Sequence, residues 1–165
     1  MGSEPTILRK ILVMTFDDSY LKDVVKIIAK KRIQLVEGIG FCNYENQRKG
    51  LIYTFLSSKN RRTWIHHYTG TYGTIIINEG TNIIDSNKEI ENILNSKILI
   101  KRPLLLVYDK NKILEKDNRY LEMLRFSLSN KQINYNVMYI DFKNNHLNSE
   151  LLYGLDWMYK HILKI

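Results

Sequence analysis

The 165-residue chain has a single cysteine, Cys42. One thiol cannot close an internal disulfide, so a reducing compartment is expected. Proline is scarce, with two residues, and Ala29 is the only alanine. No apolar run approaches the roughly 18 residues that span a bilayer, so no transmembrane helix is expected. A secretory leader is not expected either, because Arg9 and Lys10 break the first apolar stretch. Metal-ligand spacing is missing too. His66 and His67 are adjacent and diverge, and no Cys or carboxylate completes a set, so no metal is expected. No Ser, Thr or Cys stands in a recognisable nucleophile motif, so no catalytic residue is assigned. Acidic groups are the scarcer charge: 17 Asp and Glu against 25 Lys and Arg, a net charge of +8. Such a surface favours acidic partners. The basic residues lie in short clusters such as Lys30-Lys31-Arg32 and Arg61-Arg62, without a long basic tail.

What remains is enough for one domain, residues 1–165, with an ordinary apolar content of 44%. Ile7 to Met14 reads as a strand buried on both faces towards its end. Leu21, Val24, Val25 and Ile28 then fall on one face of a helix reaching about Lys31. Asp17, Asp18 or Ser19 supplies its cap. Phe41 to Gln47 and Leu51 to Ser57 read as a hairpin turning at Gln47-Arg48-Lys49-Gly50. A loop carrying Trp64 and Tyr68 follows. Tyr72 to Asn78 is another buried strand. Ser86-Asn87-Lys88-Glu89 has the form of a capping box, opening a helix through Ile98. Leu104 to Tyr108 and Tyr135 to Asp141 are the last strands. Helices with apolar stripes at Tyr120–Leu128 and Leu151–Ile162 complete the chain. This β-α-β-β-β-α-β-α-β-α order predicts a mostly parallel sheet covered on both faces, with one antiparallel edge strand. Ligands in such sheets sit beyond the carboxyl ends of the strands.

Several segments resemble the ADP-ribosylation factor (Arf and Arf-like) small GTPases. Gly154-Leu155-Asp156-Trp157 resembles their last helix. Ile39-Gly40-Phe41 resembles switch I, Trp64-Ile65-His66-His67-Tyr68 resembles switch II, and Leu105-Leu106-Val107-Tyr108 resembles the strand before the guanine-reading motif. The resemblance runs in order from about Arg9 to Ile162. It implies an α/β small-GTPase (P-loop NTPase-like) fold: a six-stranded mostly parallel sheet with one antiparallel edge strand and helices on both faces.

The family's chemistry motifs are replaced at the matching positions. The phosphate loop, Gly-x-x-x-x-Gly-Lys-[Ser/Thr], falls on Thr15 to Lys22. Thr15 and Tyr20 stand for the glycines, Leu21 for the lysine and Lys22 for the magnesium-binding hydroxyl. Glycine lets backbone N–H groups converge on phosphate, and lysine adds charge. Asp18 adds negative charge instead. Gly38 takes the place of the switch I threonine. Ser57-Ser58-Lys59-Asn60 takes the place of the switch II Asp-x-Gly-Gly-Gln. The guanine-reading Asn-Lys-x-Asp matches Lys110-Asn111-Lys112-Ile113, and Ile113 cannot accept the guanine N–H bonds. At about 1.5–3 kcal/mol per contact, the losses weaken nucleotide binding by on the order of 10⁴-fold or more.

The resulting expectation is a degenerate, catalytically inactive Arf-like protein with no cofactor. It acts as a protein-interaction module, in vesicle trafficking by resemblance, and is cytoplasmic or peripheral at endomembranes. The family's effector-facing aromatic triad matches Phe41, Leu56 and Tyr68. With Trp64 these are the expected contacts for a protein effector or complex subunit. Weak contact with an anionic membrane fits the charge, and nucleic acid is not expected. One alternative is a GTP- or GDP-binding protein that uses Mg²⁺ at an atypical site. A second is a basic module for RNA or anionic lipid. Met1-Gly2-Ser3-Glu4-Pro5-Thr6 also fits the loose N-myristoylation pattern, although Gly2-Ser3 has the form of a cloning scar.

Overall fold

The computed structural model describes residues 8–29, 41–46, 50–78, 82–143 and 147–163. Strand β1 (Arg9–Thr15) pairs in parallel with β3 (Leu51–Leu56) on one side and β4 (Thr71–Asn78) on the other. With neighbours on both sides, β1 has every side chain from Ile11 to Thr15 buried. That is why its sequence is an unbroken apolar run. Five strands run parallel in the order β3-β1-β4-β5-β6, where β5 is Leu104–Asp109 and β6 is Tyr135–Ile140. Strand β2 (Phe41–Asn46) pairs antiparallel with β3 at the edge, with Phe41 opposite Leu56.

Alternate side chains of β1 divide between two cores, as a period of two requires. Ile11 and Val13 pack with Val24 and Val25 of α1 (Leu21–Ala29) and with Leu151, Met158 and Ile162 of α4 (Leu147–Leu163). Leu12 and Met14 pack with Ile90 of α2 (Ile83–Ile93) and Leu121, Leu124 and Leu128 of α3 (Asn118–Asn130). Each such fully buried aliphatic contributes about 1.5–3 kcal/mol.

The local outcomes differ from expectation at three places. Helix α2 starts at Ile83, capped by Asn82, whose side chain accepts from the Asp85 N–H at 3.2 Å. The cap expected at Ser86 is therefore inside the helix, where its hydroxyl donates back to Asn82 O at 2.7 Å. That back-bonding hides the misplaced cap signal, since Ser in a helix interior can bond the carbonyl four residues earlier. The helix also stops at Ile93, and a 3₁₀ turn at Leu99–Lys101 follows. The loop expected around Trp64 is a 3₁₀ segment, Ser58–His67, capped by Ser57. Gln47-Arg48-Lys49 of the hairpin turn, Gly38 and the Gly2 motif lie outside the described residues. Gly50, just after that turn, has φ +64°, a left-handed conformation that suits glycine.

Candidate functional site

The carboxyl ends of β1, β3, β5 and β6 converge on the turn that follows β1. That turn is organised by its two aspartates, which do different work. Asp17 is exposed and caps the 3₁₀ turn at Asp18–Tyr20, accepting from the Ser19 N–H at 3.1 Å and the Ser19 hydroxyl at 2.6 Å. Asp18 turns inward. Its carboxylate accepts from Ser57 Oγ at 2.5 Å, the Ser58 N–H at 2.8 Å and Thr15 Oγ1 at 3.1 Å. Burial alone would raise the Asp18 pKa. The donors from Ser57, Ser58 and Thr15 outweigh it and hold the carboxyl below its ordinary range.

Tyr20 spans the other half of the convergence. Its hydroxyl donates to Asp109 Oδ2 at 2.8 Å, and its ring stacks on Phe142 with centroids 4.3 Å apart and planes 12° apart. Lys112 Nζ sits over the same ring, 5.1 Å from its centroid. Asp109, at the end of β5, is 1% exposed and also accepts from the Asn111 N–H at 3.0 Å. Asn111 in turn donates to Asp141 Oδ1 at 2.6 Å, tying the loop after β5 to the loop after β6. The turn after β1 is thus hydrogen-bonded to the ends of β3 and β5 and stacked on Phe142 after β6.

The remaining residues singled out in these motifs fall apart in space. Leu21 is buried in the α1 core, whereas Lys22 is exposed. Lys110 is exposed, and Ile113 is half-buried against the α2–α3 core. Among the described residues no group of His, Cys, Asp and Glu could hold a metal. Three residues of the expected partner surface are also drawn inward. Leu56 is 1%, Trp64 3% and Tyr68 8% exposed. Trp64 stacks near Phe16 at 6.1 Å, and its indole N–H donates to Ser57 O at 2.9 Å. These three side chains are largely buried in the core and do not stand open on the surface. The side chain of Phe41 lies outside the described residues.

Sequence reading missed Arg61 and Phe142. Arg61 pairs with Glu89, donates to Phe16 O and lies over the Phe16 and Trp64 rings. It joins the 3₁₀ segment to α2 and to the turn after β1. Beside it, a cleft of about 650 Å³ runs between the 3₁₀ segment and α2, with Trp64, Ile65, Tyr68 and Ile93 in its walls. Ile65 is 64% exposed, the outward apolar residue of that segment.

No protein-family model matches the chain, and no curated protein sequence matches it. A solved structure does. The Arl6 (BBS3) small GTPase of Trypanosoma brucei, with the bound nucleotide analogue GppNp, superposes with a TM-score of 0.64 at 13% identity. The match covers 92% of this chain and 98% of that one. At that identity the likeness establishes the fold alone: an α/β fold of the Arf-like small-GTPase kind.

Proposed function

We propose that this chain uses an Arf-like small-GTPase fold as a nucleotide-independent protein-interaction module. One observation carries the reading: Tyr20 bridges the turn after β1 to Asp109, Lys112 and Phe142 on the loops after β5 and β6. Those loops hold phosphate and base in a nucleotide-binding protein of this fold. Here an aromatic side chain lies between them. The residues do not fit a nucleoside triphosphate with Mg²⁺. The Asp18 carboxylate occupies the turn that would face phosphate, and its donors are already committed to it. Leu21 is buried at the lysine position, and Lys22 is exposed beyond it.

With no γ-phosphate to sense, the segment from Ser57 to Tyr68 holds one arrangement, fixed by Trp64 and Arg61. The module is then a constant docking platform in place of a timer. Its partner is a protein effector or complex subunit that meets Ile65 and the adjoining cleft. The proposal extends to a role in vesicle trafficking, on cytoplasmic or endomembrane surfaces, which is taken from the sequence resemblance and not from the fold.

Two measurements on purified chain test this. Denatured protein is chromatographed for released nucleotide, and thermal unfolding is followed with 1 mM Mg·GTP or Mg·GDP. A site with a Kd of about 1 μM would add about 4 kcal/mol of stability at that concentration. The proposal expects no released nucleotide and an unchanged midpoint. A stoichiometric nucleotide or a clear upward shift overturns it.

A further inference from the structure

Strand β6 closes the sheet opposite β2, and β5 is its only neighbour among the described residues. The carbonyls of Asn134 and Ile140 accept from Leu104 and Lys110 on the β5 side, each at 2.9 Å. Backbone groups alternate sides along a parallel strand, so those of Tyr135, Val137 and Tyr139 face the free edge. The Val137 N–H is taken by the Asn136 side chain at 2.9 Å. The backbone N–H and C=O of Tyr139 remain directed outward.

Beside Tyr139 a groove of about 390 Å³ opens between the strand edge and the first turns of α4. Met138, Tyr139, Ile140, Ser149, Glu150 and Tyr153 line it, and none of these is basic. Tyr153 is 73% and Tyr139 40% exposed. Glu150 Oε2 is buried and has no hydrogen-bond partner among the described residues. A carboxylate oxygen withdrawn from water without a donor is costly, and a cation relieves that cost.

We propose that this groove receives an extended segment of a partner protein, which adds to β6 as a further strand and sets a Lys or Arg against Glu150. The segment would exchange backbone hydrogen bonds with Tyr139. One of its side chains would reach the groove, since every second residue of an added strand faces the same way. The exposed Tyr153 ring suits the same cation, whereas the Tyr139 hydroxyl already accepts from Arg125 at 3.3 Å. A second copy of this chain does not fit. Its β6, Tyr135-Asn136-Val137-Met138-Tyr139-Ile140, has no basic residue to offer Glu150.

The test pans a phage-displayed library of linear nine-residue peptides on the full chain. Enriched peptides are then measured by fluorescence anisotropy and by amide exchange. The expected result is enrichment of alternating apolar sequences with Lys or Arg at one fixed position. Binding should weaken at least about tenfold with Glu150→Gln, and the Tyr139 amide should exchange more slowly in the complex. Tyr153→Ala, on a largely exposed side chain, gives a second reading if Glu150→Gln fails to fold, and it should also weaken binding. The proposal is overturned by no enrichment, by binders without a basic residue, by binding insensitive to both variants, by protection away from β6, or by self-association through β6 in sedimentation.

Discussion

Removing one oxygen atom, by Tyr20→Phe, isolates the contact on which the closed site depends. The ring and its stack on Phe142 remain. The hydrogen bond to Asp109 Oδ2, 2.8 Å long, is lost. Asp109 is 1% exposed, so water does not readily replace the hydroxyl, and among the described residues the Asn111 N–H is the donor that still reaches that carboxylate. A hydrogen bond to a charged group contributes about 1.5–3 kcal/mol. In a domain of this size, a loss of about 2 kcal/mol lowers Tm by roughly 4–8 °C. Urea unfolding followed by tryptophan fluorescence reads the loss directly. A double-mutant cycle with Asp109→Ala isolates the pair, and the coupling should be at least about 1 kcal/mol. If Tyr20→Phe stays within about 0.5 kcal/mol of the parent, the ordinary scatter of a surface change, then Tyr20 is not held by Asp109 and the reasoning fails.

Four further outcomes follow from the same contacts. The Asp18 pKa is depressed in the fold, so its stabilisation is present above the ordinary carboxylate pKa and is lost as pH falls through the depressed value. The gap in urea midpoint between the parent and Asp18→Asn should therefore be widest near neutrality and close in acid. A gap independent of pH would contradict this. Trp64→Phe leaves the buried Ser57 carbonyl without its 2.9 Å donor and should cost about 1–3 kcal/mol in chemical unfolding. Gly154→Ala puts a methyl into Met138 Sδ and within 3.1 Å of Leu105 Cδ2, and should cost about 1–3 kcal/mol, partly restored by Met138→Ala. Ile65→Asp, on a side chain 64% exposed, should leave stability within about 0.5 kcal/mol while weakening any partner seated in the adjoining cleft.

The parallel body of the fold was legible because its signals are physical and local. β1, β4 and β5 are buried on both faces and read as continuous apolar runs. The stripe of α4 at Leu151, Leu155, Met158 and Ile162 is the helical period itself. The start of α2 was not legible. Both Asn82 and Ser86 are good caps, and the choice between them rests on which N–H each side chain reaches. The capping role of Asp17 was open to sequence reading. The inward turn of Asp18 was not, because two of its three donors come from Ser57 and Ser58, 39 and 40 residues away. Tyr20 was visible as a bulky residue at a turn. Its partners, Asp109 at the end of β5 and Phe142 after β6, are brought together only by the order of strands. Leu56, Trp64 and Tyr68 show the opposite limit. Apolar residues at an expected interface and apolar residues in a core look alike in sequence, and here all three are buried.

Direct titration of the purified chain with fluorescent GTP and GDP in the presence of Mg²⁺ tests the central claim most simply. With Tyr20 between the loops and Asp18 holding its own donors, no saturable binding is expected up to millimolar nucleotide. Stoichiometric binding at micromolar concentration or tighter would contradict it, because Tyr20 would then have to leave Asp109 and Phe142 to admit the base.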